Sequence, residues 1–176
     1  DKLFGNLVYF LQGIMPACDK TGINMAIHPD DPPWDMFGLP RIITGADSYD
    51  KMLQAVPNKH NGFTFCTGSL GAGRDNDLVA MAQKYAKRIY FAHIRQLKYC
   101  GEKDFTEAGH LTDAGNLDIH GIVKALVKAG FDGYVRPDHG RNIWGEDGKP
   151  GYGLYDRALG AAYLNGLFEA IEKEGR

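Results

Sequence analysis

The sequence has no long apolar runs and no strong excess of charge of one sign. No stretch approaches the roughly 20 consecutive apolar residues that a membrane-spanning helix needs. The first residues lack the basic-then-apolar order of a secretory signal. Twenty lysines and arginines stand against 22 aspartates and glutamates, for a formal net charge of −2. This balance gives no electrostatic reason to expect a nucleic acid or an anionic membrane as partner.

Cysteine is also scarce. The 176 residues contain three, an odd number at irregular spacing. This count argues against a disulfide framework and for reduced thiols, so we expect a cytoplasmic protein. Cys18 and Cys100 have no metal-ligand context in the sequence, and we expect both to pack as small apolar side chains.

Predicted helices and strands alternate along the chain. The helices are predicted at about 2–19, 47–56, 75–85, 118–128 and 154–173. Short β-prone runs between them are predicted as strands at 23–27, 63–66, 89–93 and 134–138. Such strands pair in parallel, because a helical crossover must bring the chain back before each new strand. The sequence therefore predicts an α/β fold of parallel βα units, with residues 1–176 as a single domain.

Four βα units are about half of a TIM (β/α)8 barrel, which usually takes about 250 residues. The first predicted strand is preceded by a helix, as in the middle of a βα series, so we predict the C-terminal half of such a barrel. A complete open α/β sheet of four strands is the alternative. The polar stretch 96–116 is predicted to be irregular. The glycine-rich run 68–73 is predicted to be a flexible loop or a turn whose amides hold an anion.

Each predicted strand ends at or beside a side chain that can bind a metal ion. These side chains are His28, Cys66, His93 and Asp138. Parallel strands place their carboxyl ends on one rim, which is where TIM-barrel active sites lie. Two imidazoles, a thiolate and a carboxylate suit a divalent transition metal. We therefore predict that the four converge on a metal site, with coordination positions left open for a substrate.

Arginines also gather at strand ends and in the loops of this rim. They are Arg41, Arg74, Arg95, Arg136 and Arg141. Several guanidinium groups near a metal would suit a substrate that carries a carboxylate. Salt bridges with nearby acids such as Asp30 are the alternative for each of them.

The remaining histidines give weaker signals. His60 and His120 have no ligand-like context and are predicted to lie on the surface. His110 lies in the long polar stretch, where it either reaches a substrate or stays exposed to solvent.

A series of motifs resembles the mannonate dehydratase family. In chain order they are His28-Pro29-Asp30-Asp31-Pro32-Pro33, Gly38-Leu39-Pro40-Arg41-Ile42, Cys66-Thr67-Gly68-Ser69, Asp75-Asn76-Asp77-Leu78, Ala92-His93-Ile94-Arg95, Arg136-Pro137-Asp138-His139-Gly140 and Pro150-Gly151-Tyr152. The motifs are long and cover nearly the whole chain, without the N-terminal half of the family's barrel. The resemblance implies a metal-dependent TIM-barrel lyase that acts in bacterial glucuronate breakdown.

The resemblance also implies a reaction, a cofactor and a set of site residues. The reaction removes water from D-mannonate to give 2-keto-3-deoxy-D-gluconate, with Mn²⁺ or Fe²⁺ as cofactor. The implied metal ligands are His28, Cys66, His93 and Asp138. The implied catalytic pair is His139 and Tyr152. We expect Arg41, Arg95 and Asp30 to bind the substrate. A homo-oligomer, as a dimer, is the expected assembly.

Two other interpretations stay open. One is a related metal-dependent sugar isomerase or epimerase on the same barrel, which would differ from a dehydratase in its product. The other is a half-barrel fragment that binds metal without activity, or that packs with another chain through unpaired strand edges.

Overall fold

A computed structural model describes residues 1–174 and contains a four-stranded parallel sheet flanked by helices. The strands of this sheet, in spatial order, are Met25–Ile27 (β1), Asn61–Cys66 (β2), Ile89–His93 (β3) and Tyr134–Arg136 (β6). A separate antiparallel hairpin consists of Leu97–Gly101 (β4) and Asp104–Glu107 (β5). The parallel order confirms the predicted α/β class.

Six α-helices accompany the strands in the described part of the chain. They are Lys2–Thr21 (α1), Ala46–Ala55 (α2), Thr67–Ala72 (α3), Leu78–Tyr85 (α4), Ile119–Lys128 (α5) and Leu154–Glu174 (α6). Two short 3₁₀ helices lie at Ala86–Arg88 and Thr112–Ala114. Within residues 1–174 no helix has the length and apolarity to cross a membrane. The prediction of one domain over 1–176 extends to residues 175–176, outside the described residues, and stays a prediction.

The register of the sheet places residues that are distant in the sequence side by side on neighbouring strands. Cys66 at the end of β2 lies opposite His93 at the end of β3, and His93 lies opposite Arg136 of β6. His28 follows directly after β1, and Asp138 comes two residues after β6. All four strands thus end at the same edge of the sheet.

An aromatic cluster holds β2 against the helices. The Tyr49 ring of α2 stacks on Phe63 of β2 with 3.6 Å between ring centroids, and Tyr85 of α4 meets both rings at steep angles. Tyr49 and Phe63 are fully buried. Full burial of one such side chain contributes about 1.5–3 kcal/mol, so the strand that ends in Cys66 is fixed in the core.

Residues 68–72 of the glycine-rich run lie in α3, and Gly73 follows the end of this helix, so the prediction of a loop there was wrong. Cys66 precedes this helix, and its sulfur accepts hydrogen bonds from the amide and the hydroxyl of Ser69. Leu70 is fully buried. The Cys66 cap and the burial of Leu70 therefore stabilise this helix, although its glycines have low helix propensity.

Three smaller predictions were also wrong. The stretch 96–116 contains the β4–β5 hairpin, because apolar and polar residues alternate there on both sides of a tight turn. His60 is buried, with Nδ1 2.6 Å from Asn24 Oδ1, which satisfies an imidazole that would otherwise favour water. Cys100 is exposed, because its position in β4 faces away from the core, whereas Cys18 is buried as predicted.

Asp156 fastens the start of α6 to the loop after β6. Its buried carboxylate accepts hydrogen bonds from the Arg141 amide at 2.8 Å, from Nε at 2.9 Å and from Nη2 at 3.1 Å. Although burial by itself raises the pKa of Asp156, these hydrogen bonds hold the pKa below its ordinary value.

The Asp156→Asn substitution should lower the free energy of unfolding by about 1.5–3 kcal/mol at neutral pH, because Arg141 loses a charged acceptor. Because the pKa of Asp156 is lower in the folded chain than in the unfolded chain, its ionised carboxylate stabilises the fold at any pH above the unfolded-state pKa. This stabilisation is lost as the pH falls through the folded-state pKa. The difference from wild type should therefore shrink in acid. Urea unfolding across pH measures it, with the exposed Asp113→Asn as control. Equal effects of the two substitutions would contradict this account of α6.

Candidate metal centre and active site

Three of the four predicted metal ligands meet at the carboxyl edge of the sheet. His28, Cys66 and His93 each place one ligand atom within 4.8 Å of the others. Cys66 and His93 are buried, whereas His28 is exposed. The centroids of the two imidazole rings lie 5.2 Å apart. The three donors come from the ends of three neighbouring strands, as the sequence predicted.

The fourth predicted ligand, Asp138, lies against this group. Its Oδ1 is 3.3 Å from Nδ1 of His93, and its Oδ2 is 3.6 Å from the sulfur of Cys66. The backbone of Asp138 has φ of 56°, in the left-handed region that residues other than glycine seldom adopt. Such strain persists only where the surroundings enforce it, and it is common at functional sites. Here the strained turn holds a buried carboxylate beside two potential ligands.

Each of the two histidines has a ring nitrogen available for a metal ion. Nδ1 of His28 is 2.6 Å from the carbonyl oxygen of Pro29 and donates to it, which leaves the Nε2 lone pair free to bind a metal. Neither ring nitrogen of the buried His93 has a hydrogen-bond partner among residues 1–174. An unsatisfied buried polar group costs about 1–3 kcal/mol. A bond to a metal ion would satisfy one of these nitrogens, so the donor set fits a divalent cation.

The electrostatics of the site couple metal binding to proton loss. Burial raises the pKa of the Cys66 thiol to about 11, against the opposing influence of Arg95. Burial also lowers the pKa of His93 to about 4, which keeps its imidazole neutral at physiological pH. A neutral imidazole is ready to bind a metal, whereas the thiol must first lose its proton. A bound cation would favour that loss.

Arg95 organises the acidic side chains around the cluster. The side chain is buried, and Nη2 donates to Asp31 at 2.5 Å, Nη1 pairs with Glu107, and Nε lies 3.4 Å from Oδ2 of Asp138. Gly68 leaves room for this guanidinium, since a Cβ there would lie 1.8 Å from Nε. Arg95 thus contacts three carboxylates beside the predicted metal site, and Arg136 adds a second positive charge 2.7 Å from Oδ1 of Asp138. The predicted contact of Arg95 with a substrate stays a prediction.

His139, one of the two predicted catalytic residues, lies between this network and the metal ligands. Its Nδ1 is 2.7 Å from Oε1 of Glu107 and 2.6 Å from Nη1 of Arg95. Its Nε2 is 3.8 Å from Oδ2 of Asp138. About a third of the His139 side chain is exposed, so the imidazole is accessible to small molecules.

Tyr152, the other predicted catalytic residue, is held beside His139 through the backbone but has an exposed side chain. Gly140 donates its amide to the Gly151 carbonyl at 3.1 Å, and Gly153 donates to the Gly140 carbonyl at 2.9 Å. The ring of Tyr152 is 57% exposed, and its centroid lies 4.9 Å from Nζ of Lys149. The structure thus places the loop of Tyr152 at the rim, with its ring beside Lys149 and Arg157.

Asp30 and Arg41 brace the loop that follows β1. Oδ2 of Asp30 accepts the amides of Ile42 at 2.8 Å and Ile43 at 2.9 Å, and Oδ1 lies 3.4 Å from Nη1 of Arg41. The Arg41 side chain is 30% exposed and therefore still has surface for a ligand. The predicted substrate contacts of both residues stay predictions.

Sequence reasoning missed the roles of Glu107 and of Gly68. Glu107 could have been found from the alternation of apolar and polar residues across 97–107, which is typical of a hairpin. The role of Gly68 depends on how closely two distant segments approach, and no local pattern indicates that. His110 is mostly buried, with Nε2 3.7 Å from Oδ1 of Asp156. The alternative in which His110 stays exposed to solvent is therefore wrong.

Comparisons with known proteins assign this arrangement to one family. The sequence model described as D-mannonate dehydratase (UxuA) matches residues 1–176. Mannonate dehydratase of Thermotoga petrophila is 54% identical over 175 residues, and that of Lactococcus lactis subsp. cremoris is 53% identical over 176 residues. Each match covers 98% of this chain and 49% of the relative. The chain therefore spans about half the length of the curated relatives it matches.

Solved structures that resemble this chain identify its fold. The crystal structure of mannonate dehydratase from Streptococcus suis serotype 2 matches with a TM-score of 0.93 and 48% identity, over 98% of this chain and 50% of that one. A xylose isomerase-like TIM-barrel protein from Mycobacterium smegmatis matches with a TM-score of 0.69 at 14% identity, which indicates a shared fold alone. These matches confirm the prediction of about half a TIM barrel over that of a complete open sheet.

Gly68→Ala should destabilise the chain by about 1–3 kcal/mol, because the added methyl group displaces the Arg95 guanidinium from its acidic partners. Gly13→Ala is the matched control, since a Cβ at Gly13 meets nothing within 4 Å and alanine suits the middle of a helix. Urea unfolding of both variants measures the difference. Equal stability of Gly68→Ala and Gly13→Ala would contradict the close packing of Arg95 against α3.

Proposed function

The chain belongs to the D-mannonate dehydratase family, and from this membership we propose that it carries the metal centre of an enzyme that dehydrates D-mannonate to 2-keto-3-deoxy-D-gluconate. The observation that carries the proposal is the convergence of His28, Cys66 and His93, with Asp138 beside them. Solved structures with isomerase or epimerase in their titles are 12–15% identical to this chain, and likeness at that level indicates only a shared fold. The family match therefore favours the dehydratase over those alternatives.

We expect the four strand-end residues His28, Cys66, His93 and Asp138 to hold Mn²⁺ or Fe²⁺. The soft sulfur donor favours these ions over Mg²⁺, which prefers oxygen ligands. When bound, such an ion supplies a Lewis acid that stabilises negative charge on the carboxylate or a hydroxyl of the substrate. The exposed side of the cluster, at His28, leaves room for a substrate to approach.

His139 and Tyr152 are the proposed proton-transferring pair. Dehydration of an aldonate breaks the C–H bond next to the carboxylate and the C–O bond at the following carbon. A base must accept the proton, and an acid must protonate the departing hydroxide so that water forms. The imidazole of His139 lies beside Asp138 and is accessible. The phenol of Tyr152 is on a loop fastened to the residue after His139. The two residues divide the roles of acid and base.

The proposal also covers the substrate, the cellular compartment and the assembly of the protein. The substrate is a sugar acid, with Arg41, Arg95 and Asp30 as its expected polar contacts. All three cysteines are free, which suits the reducing conditions of a cytoplasm. The sheet ends in β1 on one side and β6 on the other within the described residues, and unpaired strand edges favour association. We therefore expect a homo-oligomer, as a dimer. We expect residues 1–176 to form a single domain, the C-terminal half of a TIM-barrel catalytic domain.

Turnover of D-mannonate tests the proposed activity. The Mn²⁺-loaded chain should produce a 2-keto-3-deoxy acid detectable by mass spectrometry. Cys66→Ala should lower the rate by at least roughly the 10- to 100-fold that damage to metal sites causes. Cys100→Ala changes an exposed thiol and should leave the rate unchanged. No product from a chain that holds its metal would contradict the activity and support the interpretation as an inactive metal-binding fragment.

A further inference from the structure

We infer that Glu107 is a positioning residue that holds the hydrogen of His139 on Nδ1, and that the β4–β5 hairpin serves to present Glu107 to this imidazole. The inference rests on the proposed function, in which His139 acts on the substrate. Glu107 would act through His139 and would not itself touch the reacting atoms.

The contact between the two side chains is short and partly shielded from solvent. Oε1 of Glu107 lies 2.7 Å from Nδ1 of His139, and the two side chains are 27% and 32% exposed. A hydrogen bond with a carboxylate acceptor is about twice as strong as one between neutral groups. A carboxylate that holds one imidazole nitrogen also fixes the tautomer and the ring orientation, as in other catalytic and metal-binding histidines.

Arg95 is the competing partner for the same nitrogen, since its Nη1 lies 2.6 Å from Nδ1. If the guanidinium donated to Nδ1, the imidazole would carry its hydrogen on Nε2. However, Arg95 already has acidic acceptors in Asp31, Glu107 and Asp138. A donor with charged acceptors gains less from a neutral imidazole than the carboxylate gains from an N–H group. The balance favours a hydrogen on Nδ1, donated to Glu107.

This tautomer has a consequence for the other ring nitrogen. With the hydrogen on Nδ1, Nε2 carries a lone pair on the side of Asp138, 3.8 Å from Oδ2. The free lone pair, which can accept a proton, thus lies next to the predicted metal ligands. With the opposite tautomer, Nε2 would carry a hydrogen at this position and could not accept a proton while neutral.

The hairpin that carries Glu107 is firmly attached to the barrel strands and helices. Glu107 pairs with the fully buried Leu97 in the hairpin register. Tyr99 of β4 donates its hydroxyl to the Gly71 carbonyl of α3 at 2.7 Å, and Phe105 of β5 packs edge-on against Trp34. These contacts fix the carboxylate relative to His139, which is what a positioning role requires.

Long-range ¹H–¹⁵N spectra of the metal-free chain at mildly alkaline pH test the inference, because they show which nitrogen of a neutral imidazole carries the hydrogen. The signals of His139 are identified by their loss in His139→Asn. Wild type should show the Nδ1–H form. Glu107→Ala should lower the ratio of Nδ1–H to Nε2–H forms by about tenfold or more, the factor that a hydrogen bond to a charged group supplies.

Two variants separate positioning from a general effect on structure. Glu107→Gln retains an oxygen acceptor and should keep most of the Nδ1–H form, whereas Glu102→Ala removes an exposed charge from the same hairpin and should change nothing. An Nε2–H form in wild type would overturn the inference, even if Glu107→Ala failed to fold. An unchanged tautomer in folded Glu107→Ala would overturn it as well. Because the spectra require neither metal nor turnover, this outcome is independent of the proposed dehydratase activity.

Discussion

The parallel pairing of β2 with β3 is the constraint on which the site depends. It sets Cys66 opposite His93, so a buried thiol and a buried imidazole face the same edge of the sheet. Stacking of Tyr49 on Phe63 fixes β2 in the core. A shift of one residue in a strand would turn each side chain to the opposite face and remove the ligand pair. The strand pairing that fixes the hydrophobic core therefore also sets the geometry of the proposed metal site.

Charge balance is the second requirement of this rim. Burying several carboxylates near one another is unfavourable unless a cation offsets them. Arg136 lies 2.7 Å from Asp138, and the central cation in the described residues is Arg95, which pairs with Asp31, Glu107 and Asp138 at once. Its position depends on the missing side chain of Gly68. Burial keeps the Cys66 thiol and the His93 imidazole as the neutral groups of the site, although Arg95 by itself would favour the thiolate. Two neutral donors suit a site that receives a divalent cation.

The sequence predicted the features that follow from local patterns. Helical periodicity and short β-prone runs located the βα units, and the strand-end positions of His28, Cys66 and His93 indicated their convergence. The hairpin that carries Glu107 was missed because the stretch was judged by its polarity and not by its alternation. The α3 helix was missed because glycine suggests a loop, whereas its stability comes from the Ser69 contacts to sulfur and from buried Leu70. Contacts such as Gly68 with Arg95 arise only in three dimensions.

The central claim is that four strand-end side chains form one metal site within this chain. Metal content after Mn²⁺ loading and removal of free ion, measured beside Cys66→Ala and Asp138→Ala, tests it most directly. We expect about one tightly held ion per chain in wild type and in the exposed-site control Cys100→Ala, and loss of that ion in both ligand variants. A folded wild-type chain that retains no metal, or ligand variants that retain as much as wild type, would contradict the claim.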